Sequence, residues 1–359
     1  MFKRLNRYII KQLLTTFFLA IAMIILIVII FDLSEKMGDF IEKKAPIKAI
    51  IFDYYVNFIP YFVNLFGHLF FFIAVIFLSS RLASRSETVA VLSSGISFNR
   101  FLQPFIISAI FIALVNIYLT NLLIPQVNKT RIDFEQKYYR NQYKNNLFNI
   151  HLQLNDNTQV YVQSFDNSQS TGYNFSEEFF KNGQMSRKIT ANNIVFDSTK
   201  KQWKLNNYTV RDINGLTEHL EEGSNKQIEL KLFPKDFNIN TARVETMTFS
   251  QLNRFIAQEQ MRGSNNVNDY LIEKYSRLIN PLAYIILTLI GVALSSRKTR
   301  GGTGLNLAIG ITLAFTFIMM MKVCSLFSSK GNLPPLVSVC IPIVIFAVIG
   351  LLLLKKAPK

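Results

Sequence analysis

Residues 9–31, IIKQLLTTFFLAIAMIILIVIIF, are long and apolar enough to cross a membrane as a single helix. A hydrocarbon core about 30 Å thick requires roughly 20 helical residues. The run exceeds the apolar core of a typical cleavable signal peptide, and no small-residue cleavage site follows it. We therefore expect a retained transmembrane helix and a membrane protein.

Five further runs have the same character, and 50% of the 359 residues are hydrophobic. Together they predict a membrane α-helical fold with six transmembrane helices, in two groups of three. The domains are predicted at 1–124 for the first three helices, 125–275 for an inserted polar domain and 276–359 for the last three. The six spans are predicted at 9–31, 54–80, 101–124, 278–295, 305–327 and 335–354.

The basic charge of the chain lies in its apolar parts. Residues 125–275 contain 19 basic and 17 acidic side chains, whereas the rest of the chain contains 20 and 6. A nucleic-acid-binding module would instead concentrate Lys and Arg on a polar domain, so we expect no nucleic-acid partner. Positively charged short loops stay in the cytoplasm, which predicts that both termini are cytoplasmic and that the insert is periplasmic.

The insert has the pattern of β structure in its middle. Apolar and polar residues alternate or nearly alternate in short segments separated by turn-forming residues, which favours a sandwich or jelly roll. A helical period follows from Ser250. The strands are predicted at 148–154, 159–165, 189–196, 202–210 and 227–233.

Residues that would indicate an enzyme or a metal centre are missing from the sequence. The glycine-rich stretch 301–304 lacks the Lys and Ser/Thr that contact phosphates and magnesium in nucleotide-binding loops. Cys324 and Cys340 lie in apolar runs, and the histidines lack metal-ligand spacing. Asn57, Tyr61, Asn64 and His68 share one face of the second span, which indicates interhelical hydrogen bonding or the lining of a polar cavity. We therefore expect no catalytic residues, no metal and no cofactor in this chain.

The loop between the second and third spans predicts a short helix at about 82–95 along the inner membrane face, capped by Gly95. Its one acid, Glu87, is surrounded at helical spacing by small residues, which would let a partner protein approach and offer a basic side chain to it. The alternative is an ordinary solvated acid on an interfacial helix. The predicted contact residues are Glu87, Arg85, Ala83, Ala90 and Ser94.

Several segments together form a recognisable order along the chain. They begin with Arg7-Tyr8-Ile9-Ile10-Lys11 near the N-terminus, followed after the second span by Arg85-Ser86-Glu87 and Ser94-Gly95-Ile96-Ser97. The order continues through Ile124-Pro125-Gln126, residues 252–263, Arg277-Leu278-Ile279-Asn280-Pro281 and Arg300-Gly301-Gly302. In this order the segments resemble the lipopolysaccharide export permeases of the LptF/LptG family: the first is similar to the family's opening motif, and the segments at 85–87 and 94–97 are similar to its cytoplasmic coupling segment.

The resemblance implies a subunit of an ATP-binding-cassette exporter in the bacterial inner membrane. Two such permeases would pair, and a cytoplasmic ATPase dimer, which binds ATP and magnesium, would dock on Glu87. The first and fifth spans would form lateral gates. Lipopolysaccharide would leave the inner membrane and pass through the periplasmic jelly roll to a bridge protein of similar fold.

Lipopolysaccharide carries anionic phosphates and apolar acyl chains, so its site is expected to place cations above an apolar cavity. The candidates near the outer boundary of the membrane are Lys36, Lys43, Lys44, Lys129 and Arg131. The alternative is a solvated rim, because acidic residues are interleaved with the first three.

Two other functions are compatible with parts of the sequence. A membrane-anchored periplasmic scaffold would need the β domain but no cytoplasmic docking helix. An ion-coupled secondary transporter would place charged residues at mid-membrane, where this sequence has none.

Overall fold

The computed structural model describes residues 2–139, 147–166, 169–198, 200–215, 217–230, 232–234, 244–261, 263–264, 266–296 and 302–355. The chain divides into two compact units, one formed by residues 1–138, 245–249 and 268–359 and the other by residues 139–244 and 250–267. The predicted boundaries at 125 and 275 both fall inside helices of the first unit. Residues Arg297, Lys298 and Arg300, which contributed to the predicted orientation, lie outside the described ranges.

The first unit is helical and contains the candidate membrane spans. Its helices are α1 (Phe2–Glu42), α2 (Ile47–Ser84), α3 (Glu87–Ser93), α4 (Phe98–Tyr138), α6 (Val267–Ile279), α7 (Leu282–Ser295), α8 (Gly302–Ser329) and α9 (Pro335–Lys355). Helix α5 (Phe249–Met261) precedes α6 in the chain, and nearly all of its residues belong to the second unit. Within the described residues, α1, α2, α4, α8 and α9 are each long and apolar enough to span a membrane.

The fourth predicted span, 278–295, is not one helix. It is a pair, α6 and α7, which meet at an angle of 54° across Asn280 and Pro281. Proline has no amide hydrogen and its ring disfavours helical geometry in the preceding residue, so a helix tends to break at this point. By itself α7 is about 21 Å long at 1.5 Å per residue, which is shorter than the hydrocarbon core. The described helices thus give six spans when this bent pair is counted as one.

Several helices also extend beyond the apolar runs that predict them. α1 continues to Glu42 and α4 to Tyr138, in both cases through polar sequence. The extensions are held together by aromatic side chains: the ring of Phe134 in α4 lies 5.7 Å from that of Phe40 in α1 and 5.3 Å from that of Tyr54 in α2. Hydropathy alone misses these segments because tertiary contacts stabilise them.

Helix α2 is the centre of the first unit and packs against α1, α4, α7 and α8. In its most apolar stretch 56% of the residues are buried, compared with 17% in α1 and 22% in α8. The approach of α8 is close, because a Cβ atom on Gly310 would overlap Cδ1 of Ile76. One turn away, Nδ2 of Asn306 donates a buried hydrogen bond of 2.9 Å to Oγ of Ser80.

Helices α1 and α8 leave much of their apolar surface uncovered within this chain, because few residues of their apolar stretches are buried.

The second unit contains an antiparallel sheet in which consecutive strands pair from β1 to β6, and β7 pairs with β5 beside β6. Its core includes Trp203, whose Nε1 donates a 2.8 Å hydrogen bond to the carbonyl of Leu232. The strands are β1 (Leu147–Asn155), β2 (Thr158–Asp166), β3 (Thr171–Lys181), β4 (Gln184–Asp197), β5 (Gln202–Asn214), β6 (Thr217–Gly223) and β7 (Lys226–Ile228). This sheet confirms the predicted β insert between two groups of helices.

Candidate functional site

The predicted docking segment 82–95 is two helices. α2 ends at Ser84, and α3 begins at Glu87 after Ser86, which has a left-handed backbone with φ of 61°. A residue other than glycine seldom adopts this conformation inside a helix, so the chain changes direction there. The predicted cap is present: Gly95 has φ of 82°, and its N–H donates a 3.0 Å hydrogen bond to the carbonyl of Leu92.

The break determines which predicted contact residues share a surface. Arg85, Ala90 and Ser94 are exposed and Glu87 is half-buried, whereas Ala83 belongs to α2 and is 2% exposed. The predicted contact of Ala83 with a partner is not tested by this burial and stays a prediction. Within this chain Ala83 is covered, because helical spacing from Glu87 does not continue through the left-handed residue Ser86. Neither Glu87 nor Arg85 forms an ion pair with any residue that the structure describes.

An apolar residue that the sequence analysis missed also points outward from α3. Val89 is 55% exposed, while its neighbour Thr88 is 1% exposed. A sequence signal for this is weak, because only Ser93, four residues after Val89, lies on the same side of the short helix, and Arg85 precedes the break at Ser86. The surface formed by Arg85, Glu87, Val89, Ala90 and Ser94 is called the coupling surface below.

The predicted cations at the outer ends of α1 and α4 do not form one exposed group. Lys44 and Lys129 are exposed and Lys43 is half-buried. Lys36 is enclosed: its Nζ lies 2.7 Å from Oδ1 of Asp32 and donates a hydrogen bond to the hydroxyl of Tyr54. The ammonium group of Lys36 is thus neutralised by an acid of its own helix.

Arg131 is a buried residue and its guanidinium group has several partners. The side chain donates hydrogen bonds to Glu135 at 2.7 Å and to Asn128 at 3.2 Å, and it forms a longer ion pair with Glu245 at 3.8 Å. The guanidinium carbon lies 4.0 Å from the ring centroid of Tyr61, in cation–π geometry. Arg131 was predicted to contact lipid phosphate near the outer boundary, and that contact stays a prediction. Within this chain, a spacing of four on α4 pairs its guanidinium group with a buried acid.

Three residues of the polar face predicted on the second span, Tyr61, Asn64 and His68, line a cavity of about 150 Å³. The fourth, Asn57, donates to backbone carbonyls of its own helix. Oδ1 of Asn64 accepts hydrogen bonds from Asn116 at 2.9 Å and from Thr120 at 2.7 Å. Within the described ranges, three buried atoms of cavity residues have no hydrogen-bond partner: Nε2 of His68, Nδ2 of Asn128 and Oδ1 of Asn280. Unsatisfied groups around one cavity are typical of a hydrated site.

Glu177 is an unusual titratable group of the β domain, because its carboxyl points to the apolar face of the sheet. It pairs in register with Val160 on one neighbouring strand and Ile189 on the other, and it is 7% exposed. Burial raises the pKa of this carboxyl to about 7, and the nearby Arg187 opposes the shift. The carboxyl therefore titrates close to neutral pH.

These features define a class: a multi-pass membrane protein whose helices are interrupted by an antiparallel β domain, with an exposed helical surface between its second and third spans. No match is found among curated proteins. A family model, described as "Lipopolysaccharide export system permease LptF/LptG", matches residues 7–356. The chain belongs to this family, and it is therefore a multi-pass inner-membrane permease of lipopolysaccharide export, a non-catalytic component of a transport complex.

Proposed function

We propose that this chain is one of two permeases in an ATP-binding-cassette exporter that extracts lipopolysaccharide from the inner membrane. In this proposal a separate cytoplasmic ATPase dimer binds ATP and magnesium and supplies the energy. Both termini lie in the cytoplasm, the β domain lies in the periplasm, and the lipid passes from that domain to a periplasmic bridge protein of jelly-roll fold. The observation that carries the proposal is the coupling surface.

The coupling surface has the chemistry of a protein contact. The carboxylate of Glu87 has no described ion-pair partner, and a basic residue of another chain would satisfy it with a charge-assisted hydrogen bond. Val89 offers apolar area, while Ala90 and Ser94 are small enough to let another backbone come close. Because α3 packs against both α2 and α4, a force applied to α3 would reach the centre of the membrane unit.

Helices α1 and α8 supply the surfaces for the second permease and for the lipid. Both keep exposed apolar side chains along the membrane depth, such as Leu26 and Ile30 in α1 and Phe315 and Met319 in α8. These surfaces are the proposed lateral gates. Contact with acyl chains or with the partner permease would remove them from water.

The five predicted cations have unequal roles in this proposal. Lys44 and Lys129 are exposed and available to lipid phosphates, and Lys43 is partly so. Lys36 contacts a phosphate when that phosphate displaces Asp32, so its binding is expected to be salt-sensitive. Arg131 supports the site through Glu135 and Tyr61.

Copurification from native membranes in mild detergent tests the ATPase contact. The wild-type chain is expected to bring down an ATPase, whereas Glu87→Ala and Glu87→Arg are expected to lose it, with the larger loss for the reversed charge. Glu42→Ala is a matched control, because it removes an exposed carboxylate at the distant end of α1. Normal recovery of the ATPase with both Glu87 variants would contradict the proposal and favour a membrane-anchored scaffold.

A further inference from the structure

A second cavity, of about 460 Å³, lies on the β domain, and none of the residues that carry the proposed function lines it. It is formed by the face of β1–β4 opposite the apolar core, and Gly263, in the turn after α5, forms part of its wall. Volumes of 300–1,000 Å³ are usual for small-molecule sites. The side chains of Val162, Phe175 and Ala191, which do not line this cavity, are buried on the core face of the same strands.

Register places the cavity side chains in two rows that cross the strands. His151, Tyr161 and Ser176 are successive partners in one row, and Gln153, Gln159, Glu178 and Lys188 are successive partners in the other. Side chains two residues apart on a strand share a face, so the rows are about 7 Å apart and neighbouring members of a row about 5 Å apart. This is the scale of a sugar ring and its hydroxyl groups.

The first row supplies an aromatic surface. The rings of His151 and Tyr161 lie 4.7 Å apart at an interplanar angle of 43°. His151 is exposed and Tyr161 is half-buried, so the pair presents ring area to the cavity. Aromatic rings of this kind bind the apolar C–H faces of pyranose sugars. The hydroxyl groups of the same sugars need polar partners, which a purely apolar pocket would lack.

The second row supplies donors and acceptors in the arrangement that hydroxyl groups require. Gln153 and Gln159 make no side-chain hydrogen bond within the described residues, and each amide offers both a donor and an acceptor. Glu178 and Lys188 form an ion pair of 2.8 Å, so together they offer an acceptor beside a donor with no net charge. An anion or a metal ion would need unbalanced charge, and the described residues contain no group of three potential metal ligands.

We propose that this cavity binds carbohydrate, with Tyr161 and His151 as the stacking surface and Gln153, Gln159, Glu178 and Lys188 as the hydroxyl-binding groups. The inference deepens the proposed function, because lipopolysaccharide has a saccharide portion as well as acyl chains. Acyl chains and saccharide would then contact opposite faces of one sheet. A free sugar and a sugar attached to lipid would be recognised by the same groups, because both present hydroxyls and ring C–H faces.

The test uses the full chain in lipid nanodiscs and saturation-transfer NMR with two soluble probes. One probe is the saccharide released from lipopolysaccharide by removing its acyl chains, and the other is maltoheptaose, an unrelated neutral sugar. Saturation of the ring C–H protons of the first probe is expected. Tyr161→Ala should weaken its binding about tenfold, equivalent to 1.4 kcal/mol, and the double variant Gln153→Ala, Gln159→Ala should weaken it as well.

Tyr173→Ala is the matched control, since Tyr173 is an exposed tyrosine on β3 that does not line the cavity. Unchanged thermal unfolding of the double variant, which alters only side chains on the solvent face, separates loss of binding from loss of fold. Equal binding of both probes assigns the site to sugars in general, and stronger binding of the first assigns it to the lipid's saccharide. Absence of sugar binding, or equal effects of Tyr161→Ala and Tyr173→Ala, would overturn the inference. Continued lipopolysaccharide extraction by the complete complex would show that the proposed function survives that result.

Discussion

The two charged regions of the membrane unit differ in where their charges find partners. On the coupling surface, Glu87 and Arg85 have no ion-pair partner among the residues that the structure describes. At the outer ends of α1 and α4, Lys36 is paired with Asp32, and Arg131 with Glu135 and Glu245. A charge paired within the chain contributes to the fold, whereas an unpaired one on a short exposed helix is available to another molecule.

This difference separates two uses of charge that look alike in a sequence. Removing one member of a buried pair leaves its partner charged and desolvated, which is costly. Removing a half-exposed charge that has no described ion-pair partner, such as that of Glu87, changes the folded state little. Stability and partner binding should therefore respond in opposite ways to mutations in the two regions.

The largest expected effect is on stability when Arg131 is replaced. Arg131→Met would remove the 2.7 Å ion pair with Glu135, which is 4% exposed, and should lower the free energy of unfolding by about 3–5 kcal/mol. Thermal unfolding in detergent is the measurement. Lys129→Met is the control on the same helix and should have little effect, and the double variant Arg131→Met, Glu135→Gln should recover part of the loss. A single variant as stable as the wild type would show that the network is not structural.

The next largest effect is on the β domain and depends on pH. The folded-state pKa of Glu177 is about 7, above its ordinary value of 4.5, so the native state binds this proton more tightly than the unfolded state does. The side chain therefore destabilises the fold as pH rises from 4.5 to 7, and the full cost, roughly 3 kcal/mol, is present above pH 7. Glu177→Gln should make the unfolding temperature higher at pH 8 and flatten its dependence between pH 5 and 7. An unchanged pH profile would contradict the assignment.

Much of the fold follows from the sequence because apolar length and alternation are local signals. The spans around 9–31 and 335–354 and the strands around 159–165 and 202–210 lie within observed elements. The strands β3 and β6 were not predicted. Gly172 and Asn174 interrupt the alternating pattern of β3. Every residue of β6 except Gly223 is exposed, so β6 has no apolar face to detect. These strands form because neighbouring strands provide hydrogen-bond partners, which no local pattern reveals.

The candidate site was less predictable because it depends on contacts distant in sequence. Glu87 and the cap at Gly95 could be read locally, but the left-handed turn at Ser86 could not, and it removed Ala83 from the surface. The burial of Arg131 depends on Tyr61 and Glu245, which are 70 and 114 residues away along the chain. A sequence shows which side chains are charged, whereas tertiary contacts decide which of those charges are neutralised by a partner.

A smaller effect is expected where α8 meets α2, between the two charged regions. Asn306→Ala removes the buried hydrogen bond to Ser80 and should cost about 0.6 kcal/mol, the average for such bonds between membrane helices, and at most about 1.7 kcal/mol. A double-mutant cycle with Ser80→Ala isolates the pairwise contribution. Thr312→Ala is the control, because that hydroxyl is exposed and bonds only to its own helix. Additive effects of Asn306→Ala and Ser80→Ala would show that the pair does not join the two helices.

Of these variants, those at the coupling surface are expected to change the free energy of unfolding the least. Their main effect should be on binding of the ATPase. Glu87→Ala should change the free energy of unfolding by no more than about 0.5 kcal/mol, because no described ion pair is lost. The same variant should lose the ATPase on copurification and reduce lipid-stimulated ATP hydrolysis in the reconstituted complex. Glu87→Asp should restore part of both, since it keeps the carboxylate but shortens its reach. If Glu87→Ala instead destabilised the isolated chain as strongly as Arg131→Met, the carboxylate would belong to the fold, and the distinction between the two charged regions would fail.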